Sequence, residues 1–227
     1  MSSVKDTEAD LDSSASRLRI TEIFHSLQGE SRTSGYTTVF IRLTGCPLRC
    51  EYCDTAYAFK GGEWFSFDDI LAEVKKYNTK YITVTGGEPL AQKRCADLLK
   101  LLCDEGYEVS LETSGALDIS VVDKRVSRVM DLKTPASKEE SKNLYQNIEL
   151  LTAHDQLKFV ICDRNDYEWS VSKIDEYKLL DRCEVFFSSS HQQLKPQQLA
   201  DWIIEDQLAV RFQMQLHKYL WNDEPGR

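Results

Sequence analysis

The chain is predicted to be an α/β protein, an incomplete (β/α) barrel around a mainly parallel, curved sheet. Three observations predict this. Short apolar runs of strand type alternate with helical patterns, and such alternation favours parallel strands joined by crossovers. The length, 227 residues, supports one sizeable core but falls short of the roughly 250 residues typical of a complete eight-unit barrel. No Gly/Ser/Pro linker, repeat or low-complexity tract divides the chain after its polar first segment, so residues 1–17 read as a flexible leader and 18–227 as a single domain.

The strand candidates, in order, are residues 19–24, 37–43, 81–85, 108–112, 126–132, 157–161, 184–187 and 210–213, each an apolar run of strand length. Between them lie three helical patterns. Ser66-Phe67-Asp68-Asp69 has the form of a cap with an acidic first turn, followed by Ile70, Leu71, Val74 and Tyr77 at helical spacing. Residues 91–105 carry Leu98, Leu99, Leu101 and Leu102 and stop at Gly106. Residues 196–206 begin with Pro196 and place Leu199, Trp202 and Ile203 on one side. In such folds ligands gather at the C-terminal ends of the strands.

A formal net charge of −9 argues against broad electrostatic binding of nucleic acid or of an anionic membrane. The first seventeen residues include Asp6, Glu8, Asp10 and Asp12 and no apolar core, so they are not a secretory signal. No stretch approaches the ~20 apolar residues of a membrane span. The expected location is cytoplasmic and reducing, where clustered cysteines read as metal ligands rather than disulfides.

Cys46, Cys50 and Cys53 form a C-x3-C-x2-C run with no fourth cysteine nearby. Three thiolates can hold three irons of a cubane cluster and leave the fourth open to a small molecule. The alternative is zinc completed by a distant His or Cys, although structural zinc prefers two close ligand pairs. Cys95, Cys103, Cys162 and Cys183 complete no second motif and read as small buried hydrophobes. Several strand candidates end in polar residues. Thr85-Gly86-Gly87-Glu88-Pro89 combines close backbone approach with a carboxylate able to accept from an ammonium, and is equally a tight turn. Leu111-Glu112-Thr113-Ser114-Gly115 could be a plain turn, and Asp131 with Lys133 a solvent-exposed ion pair.

The three-cysteine loop followed by the Gly-Gly-Glu-Pro segment resembles the radical S-adenosylmethionine (SAM) superfamily, whose barrel type the fold prediction then matches. A narrower resemblance spans nearly the whole chain after the leader. Phe24-His25-Ser26-Leu27-Gln28-Gly29-Glu30, Phe40-Ile41-Arg42-Leu43-Thr44-Gly45-Cys46, Cys53-Asp54-Thr55, the Leu111–Gly115 run and Gln215-Leu216-His217-Lys218-Tyr219 occur in order. Together they are similar to the 7-carboxy-7-deazaguanine synthase family. That family converts 6-carboxy-5,6,7,8-tetrahydropterin to 7-carboxy-7-deazaguanine with loss of ammonia, in 7-deazapurine (queuosine) biosynthesis.

The resemblance implies a site. Cys46, Cys50 and Cys53 would hold a four-iron, four-sulfur (4Fe-4S) cluster, and Thr55 would ligate Mg2+. Leu27, Gln28, Gly29, Arg42 and Thr85 would contact the pterin, Arg42 through its carboxylate, which a planar guanidinium can bind bidentately. Glu51, Tyr52, Cys53, Gly87 and Glu88 would lie along SAM, as would Asp131, Leu132 and Lys133, and Ser188, Ser189, Ser190 and His191. At the last two segments other members carry Ser-Pro-Lys and Gln-Pro runs. His217, expected on the terminal strand, is a candidate substrate neighbour. The resemblance also implies an external one-electron donor and a homodimer. A small activase that makes a glycyl radical on a partner protein, and a zinc-binding interaction module, are the rival readings.

Overall fold

The computed structural model describes residues 16–191, 193–222, 224 and 226. Antiparallel pairing opens the fold. Strand β1 (Arg17–Leu27) runs antiparallel to β2 (Thr37–Leu43) on one side and to the edge strand β3 (Glu63–Ser66) on the other. Arg17, expected to close the leader, is the first residue of β1 and pairs with Ser66; residues 1–15 lie outside the described residues. From β2 onward every neighbour is parallel, through β4 (Tyr81–Gly86), β5 (Glu108–Thr113), β6 (Ser127–Asp131), β7 (Gln156–Ile161), β8 (Glu184–Ser189) and β9 (Arg211–Gln213). The order is β3-β1-β2-β4-β5-β6-β7-β8-β9. β3 and β9 sit at opposite ends, so the sheet does not close into a barrel.

Helix α1 (Phe67–Val74) starts at a capping box. Ser66 Oγ accepts from Asp69 N at 3.1 Å, and Asp69 returns an acceptor to Ser66 N. Helix α2 (Cys95–Asp104) buries Cys95, Leu98, Leu99 and Leu102 and is followed by Gly106 at φ +89, the left-handed conformation that terminates helices. Helix α4 (Pro196–Glu205) begins on its proline and buries Leu199 and Ile203.

Two further helices depart from the expected pattern. Helix α3 (Arg164–Tyr177), capped by Asp163 accepting from Asp166 N at 2.8 Å, was not legible because two of its four buried residues, Asp166 and Ser170, are polar. The segment expected to be a terminal strand at His217 is the short helix α5 (Leu216–Trp221). The crossovers from β5 to β6 and from β6 to β7 contain no α-helix; the latter uses three 3-10 turns.

Strand alternation divides the two sheet faces. Val39, Ile41, Leu43, Ile82, Val84, Val109 and Leu111 join α1 and α2 in one buried cluster. Met130, Leu157, Phe159, Ile161, Val185 and Phe187 join α3 and α4 in a second. The intervening residues Phe40, Arg42, Thr85, Glu112, Asp131 and Lys158 face the concave side and line a single cavity of about 690 Å³. Apolar positions therefore hold the helices on, and polar positions are left for a ligand.

Candidate active site

The cavity lies at the C-terminal ends of the parallel strands, and all three motif cysteines border it. Their loop is held mainly by backbone–backbone bonds, and one thiol takes part as well, Leu48 N donating to Cys46 Sγ at 3.4 Å. Gly45 N donates to Ala58 O at 2.8 Å, Glu88 N to Gly45 O at 2.9 Å and Glu51 N to Ser137 O at 3.1 Å. The thiols are half-buried. Burial pushes Cys46 upward and Cys50 up to about 11, with Lys133 opposing the rise in both. Cluster binding requires the thiolate form, which coordination itself enforces. No three His, Cys, Asp or Glu side chains among the described residues converge tightly enough to hold a single ion. Thiols that each bind a different iron do not need to converge on one point.

The Gly86-Gly87 turn is packed directly on this loop. A Cβ at Gly87 would strike Gly45 O and come within 2.5 Å of Cys46 Cβ. Glycine is required here by close approach. Glu88 departs from expectation. Its carboxylate, expected to be open to a ligand, is fully buried and does not border the cavity. It accepts from Ser114 N at 2.7 Å, Ser114 Oγ at 2.5 Å, Thr113 Oγ1 at 3.0 Å and Leu90 N at 3.0 Å. Buried backbone donors at the end of β5 need an acceptor, and Glu88 supplies it, placing Thr113 and Ser114 on the cavity wall.

Charged groups cross the cavity floor as a connected row. Lys158 Nζ lies 2.9 Å from Glu30 Oε2 and 3.9 Å from Asp131 Oδ2; Lys133 Nζ lies 2.9 Å from Asp131 Oδ2. Burial alone would raise the Glu30 carboxyl, but Lys158 and then His217 hold it down at about 2. Burial alone would lower Lys158, and Glu30, Asp131 and Glu112 together hold it well above the usual lysine range. Glu112, which accepts from Thr85 Oγ1 at 3.3 Å, is raised by its burial and by the Glu30 charge, against Lys158 and Arg42. Asp131 and Lys133 are thus a largely buried pair within a network, not the exposed pair that a strand end suggests.

The residues of the Leu27-Gln28-Gly29 segment reach the cavity together. Leu27 ends β1, and Gln28, 1% exposed, uses its amide internally: Nε2 donates to Thr83 Oγ1 at 3.0 Å and Oε1 accepts from Glu30 N at 3.0 Å. Gly29 is approached by α5, with His217 Nδ1 3.0 Å from where a Cβ would stand. His217 borders the cavity from α5, its Nε2 3.9 Å from Glu30 Oε1. Arg42 lines the cavity while its Nε donates to Glu22 Oε1 at 2.6 Å. Thr55 lines it too, its hydroxyl donating to Asp54 Oδ1 at 2.7 Å. Burial would raise Asp54, but the Lys218 ammonium 2.9 Å away holds it well below the carboxylate range.

Glu51, Tyr52, Gly87, Asp131, Lys133, Ser190 and His191 border the cavity as expected positions. Leu132, Ser188 and Ser189 do not. Leu132 points into the second apolar cluster, and Ser188 and Ser189 are buried within β8 away from the lining. Lys158 was missed, as were the individual roles of Glu30 and Glu112. A usable signal exists: Arg42, Thr85, Glu112, Asp131 and Lys158 each occupy the polar phase of an otherwise apolar strand.

The donor set fits an iron–sulfur cluster and a polar cofactor. Three thiols face one cavity, and two buried polar atoms on its wall, Asp131 Oδ1 and Tyr52 Oη, have no hydrogen-bond partner among the described residues. Buried polar atoms normally have one, so these are places where a ligand would be held.

Comparison with known proteins agrees with this geometry. Residues 40–181, more than half of the chain, match the radical SAM superfamily. The chain is 42% identical over 222 residues to a 7-carboxy-7-deazaguanine synthase of Koribacter versatilis, covering 91% of this chain and 98% of that one. It is 40% identical over 210 residues to the same enzyme of Chlorobaculum tepidum, covering 91% and 96%. The fold superposes on the crystal structure of QueE from Escherichia coli with a TM-score of 0.75, at 21% identity, covering 93% and 99% of the two chains. These matches leave no support for the zinc-module reading.

Proposed function

The chain belongs to the 7-carboxy-7-deazaguanine synthase family of radical SAM enzymes, and from that premise we propose that it converts 6-carboxy-5,6,7,8-tetrahydropterin to 7-carboxy-7-deazaguanine with release of ammonia. It is a radical SAM enzyme of deazapurine biosynthesis. The observation that carries the substrate assignment is that the three thiols, Thr55, Arg42 and the Leu27-Gln28-Gly29 segment border one cavity. A glycyl-radical activase, the rival reading, finds no support in the curated relatives, which are 7-carboxy-7-deazaguanine synthases.

The cluster on Cys46, Cys50 and Cys53 and the SAM beside it supply, when bound, the radical that begins the ring contraction. The chain's own residues then have binding and orienting work. Asp131, Lys133, Tyr52 and Ser190 offer polar groups along the wall assigned to SAM. Arg42 offers a planar donor edge to the substrate carboxylate. Thr55 would ligate Mg2+, which favours oxygen donors and can bridge protein to a carboxylate with few protein ligands. Glu112, its carboxyl raised by burial and by the Glu30 charge, borders the same cavity; no residue is assigned an acid or base role. An external one-electron donor, a homodimeric assembly and a cytoplasmic setting belong to the same proposal. No helix among the described residues is long and apolar enough to cross a membrane.

The test is an anaerobic assay with reductant, SAM and the carboxytetrahydropterin, reading 7-carboxy-7-deazaguanine. Formation of product by the reconstituted protein is the expected result; iron- and sulfide-replete protein that makes none refutes the assignment. Arg42→Ala should depress turnover and leave the iron content intact.

A further inference from the structure

Glu22 does not border the cavity, yet it grips two residues that do. The pairing of β1 with β2 shifts between Ile20, opposite Leu43, and Glu22, opposite Arg42, so Thr21 is an extra residue on β1. Thr21 is held by its hydroxyl, 2.8 Å from Thr44 Oγ1. Bulges of this kind re-aim the next side chain, and here they bring a carboxylate directly across from Arg42. Glu22 Oε1 accepts from Arg42 Nε at 2.6 Å and from Tyr57 Oη at 2.8 Å. Arg42 and Tyr57 both line the cavity.

A guanidinium can present either of two forked edges to a carboxylate, one made with Nε and one made by the two terminal nitrogens. With Nε committed to Glu22, the terminal fork is the one left for a ligand. The plane is fixed further by two rings. Cζ stands 5.7 Å from the Phe24 centroid and 5.9 Å from that of Tyr57, and Phe24 is itself stacked on Phe40 at 4.9 Å. Tyr57 belongs to the 3-10 turn Ala56–Phe59, which directly follows the Cys53-Asp54-Thr55 segment.

We propose that Glu22 is a positioning residue that selects the terminal fork of Arg42 for the substrate carboxylate, and that Tyr57 ties this selection to the folded cluster loop. The inference rests on the reading that Arg42 receives that carboxylate. It makes discrimination for a 6-carboxylated pterin depend on a residue outside the cavity. It also separates positioning from simple charge neutralisation. Glu22→Gln keeps an acceptor oxygen in place and loses the charge, so it preserves positioning and abolishes neutralisation.

The experiment is anaerobic calorimetric titration of the cluster-loaded, SAM-bound protein with two ligands, 6-carboxy-5,6,7,8-tetrahydropterin and 5,6,7,8-tetrahydropterin without the carboxyl. The readout is the ratio of their Kd values. Glu22→Ala should reduce the preference for the carboxylated ligand about tenfold and Tyr57→Phe about threefold, the range of one lost charged or neutral hydrogen bond. Glu22→Gln should restore most of the preference, and affinity for the ligand without the carboxyl should stay unchanged throughout. An undiminished preference in Glu22→Ala, an equal loss for both ligands, or Glu22→Gln behaving like Glu22→Ala overturns the inference. A wild-type protein with no preference overturns the Arg42 reading itself and is distinguishable from these. If Glu22→Ala does not fold, Glu22→Gln and Tyr57→Phe carry the same test, the first keeping the preference and the second losing part of it.

Discussion

Gly87→Ala isolates the contact between the Gly-Gly turn and the cluster loop. The added methyl would overlap Gly45 O and stand 2.5 Å from Cys46 Cβ, where carbon atoms ordinarily stand about 3.5–4 Å apart. The obstacles are backbone and a Cβ, with no flexible side-chain end to swing aside, so the loop must move by roughly 1 Å. That movement pulls Gly45 O away from Glu88 N, a bond of 2.9 Å. Overpacking of this kind costs about 1–3 kcal/mol, and the broken bond adds about 1 kcal/mol. A total near 3 kcal/mol lowers the urea midpoint by about 1–1.5 M at a slope of 2–3 kcal/mol/M. Because the displaced atoms carry Cys46, iron bound per chain after anaerobic reconstitution should fall as well. Wild-type iron content together with a wild-type urea midpoint would refute the argument that Gly87 is required by packing on the cluster loop.

Three other outcomes follow from the same structure. Glu88→Ala leaves Ser114 N and Leu90 N without their acceptor and should cost about 3 kcal/mol, a fall of roughly 6–12 °C in the Tm of the metal-free protein; a carboxylate that served only a ligand would leave that Tm unmoved. Glu30, held at about 2 against its ordinary 4.5, contributes stability that is fully present above pH 4.5 and is lost as pH falls through about 2. The amount is on the order of 3 kcal/mol, so Lys158→Met should flatten or invert that acid limb in urea titrations, and an unchanged limb would rule the pairing out. On the proposal that Thr55 ligates Mg2+, Thr55→Ala should raise the Mg2+ concentration needed for half-maximal turnover by about tenfold or more with iron content unchanged; an equal Mg2+ response in mutant and wild type would rule that proposal out.

The central parallel strands, β2 and β4 to β8, were legible because each carries an apolar phase in one of the two buried clusters, and α1 because its cap is written in four consecutive residues. Strand β3 and helix α3 were not, for opposite reasons. β3 is a short edge strand in which Trp64 remains 64% exposed, and α3 packs through Asp166 and Ser170 as well as Tyr167 and Ile174, so neither shows an apolar rhythm. Glu88 illustrates a different limit. Sequence places a carboxylate beside two glycines, but only the fold reveals that the end of β5 brings a hydroxyl pair and a backbone N–H onto it. Local chemistry announced an acceptor and could not say for what.

The site tolerates so much charge because its charged groups are paired. Lys158 is buried beside two carboxylates, and removing one partner of a buried pair costs more than the pair contributes. Compared with apolar side chains of the same size such a network adds little net stability, although protonating one member of it is costly, and its pairing fixes the geometry of the cavity floor. Glu30 belongs to the chain between β1 and β2, Asp131 ends β6 and Lys158 lies in β7; residues from distant parts of the chain meet only when the sheet has curved enough to bring its β1 and β7 regions across the cavity. The charged floor and the cysteine loop thus both depend on contacts between distant parts of the chain. Lys158, set between Leu157 and Phe159 in β7, reaches back to Glu30 before β2, just as Glu51 N in the cysteine loop reaches forward to Ser137 O beyond β6.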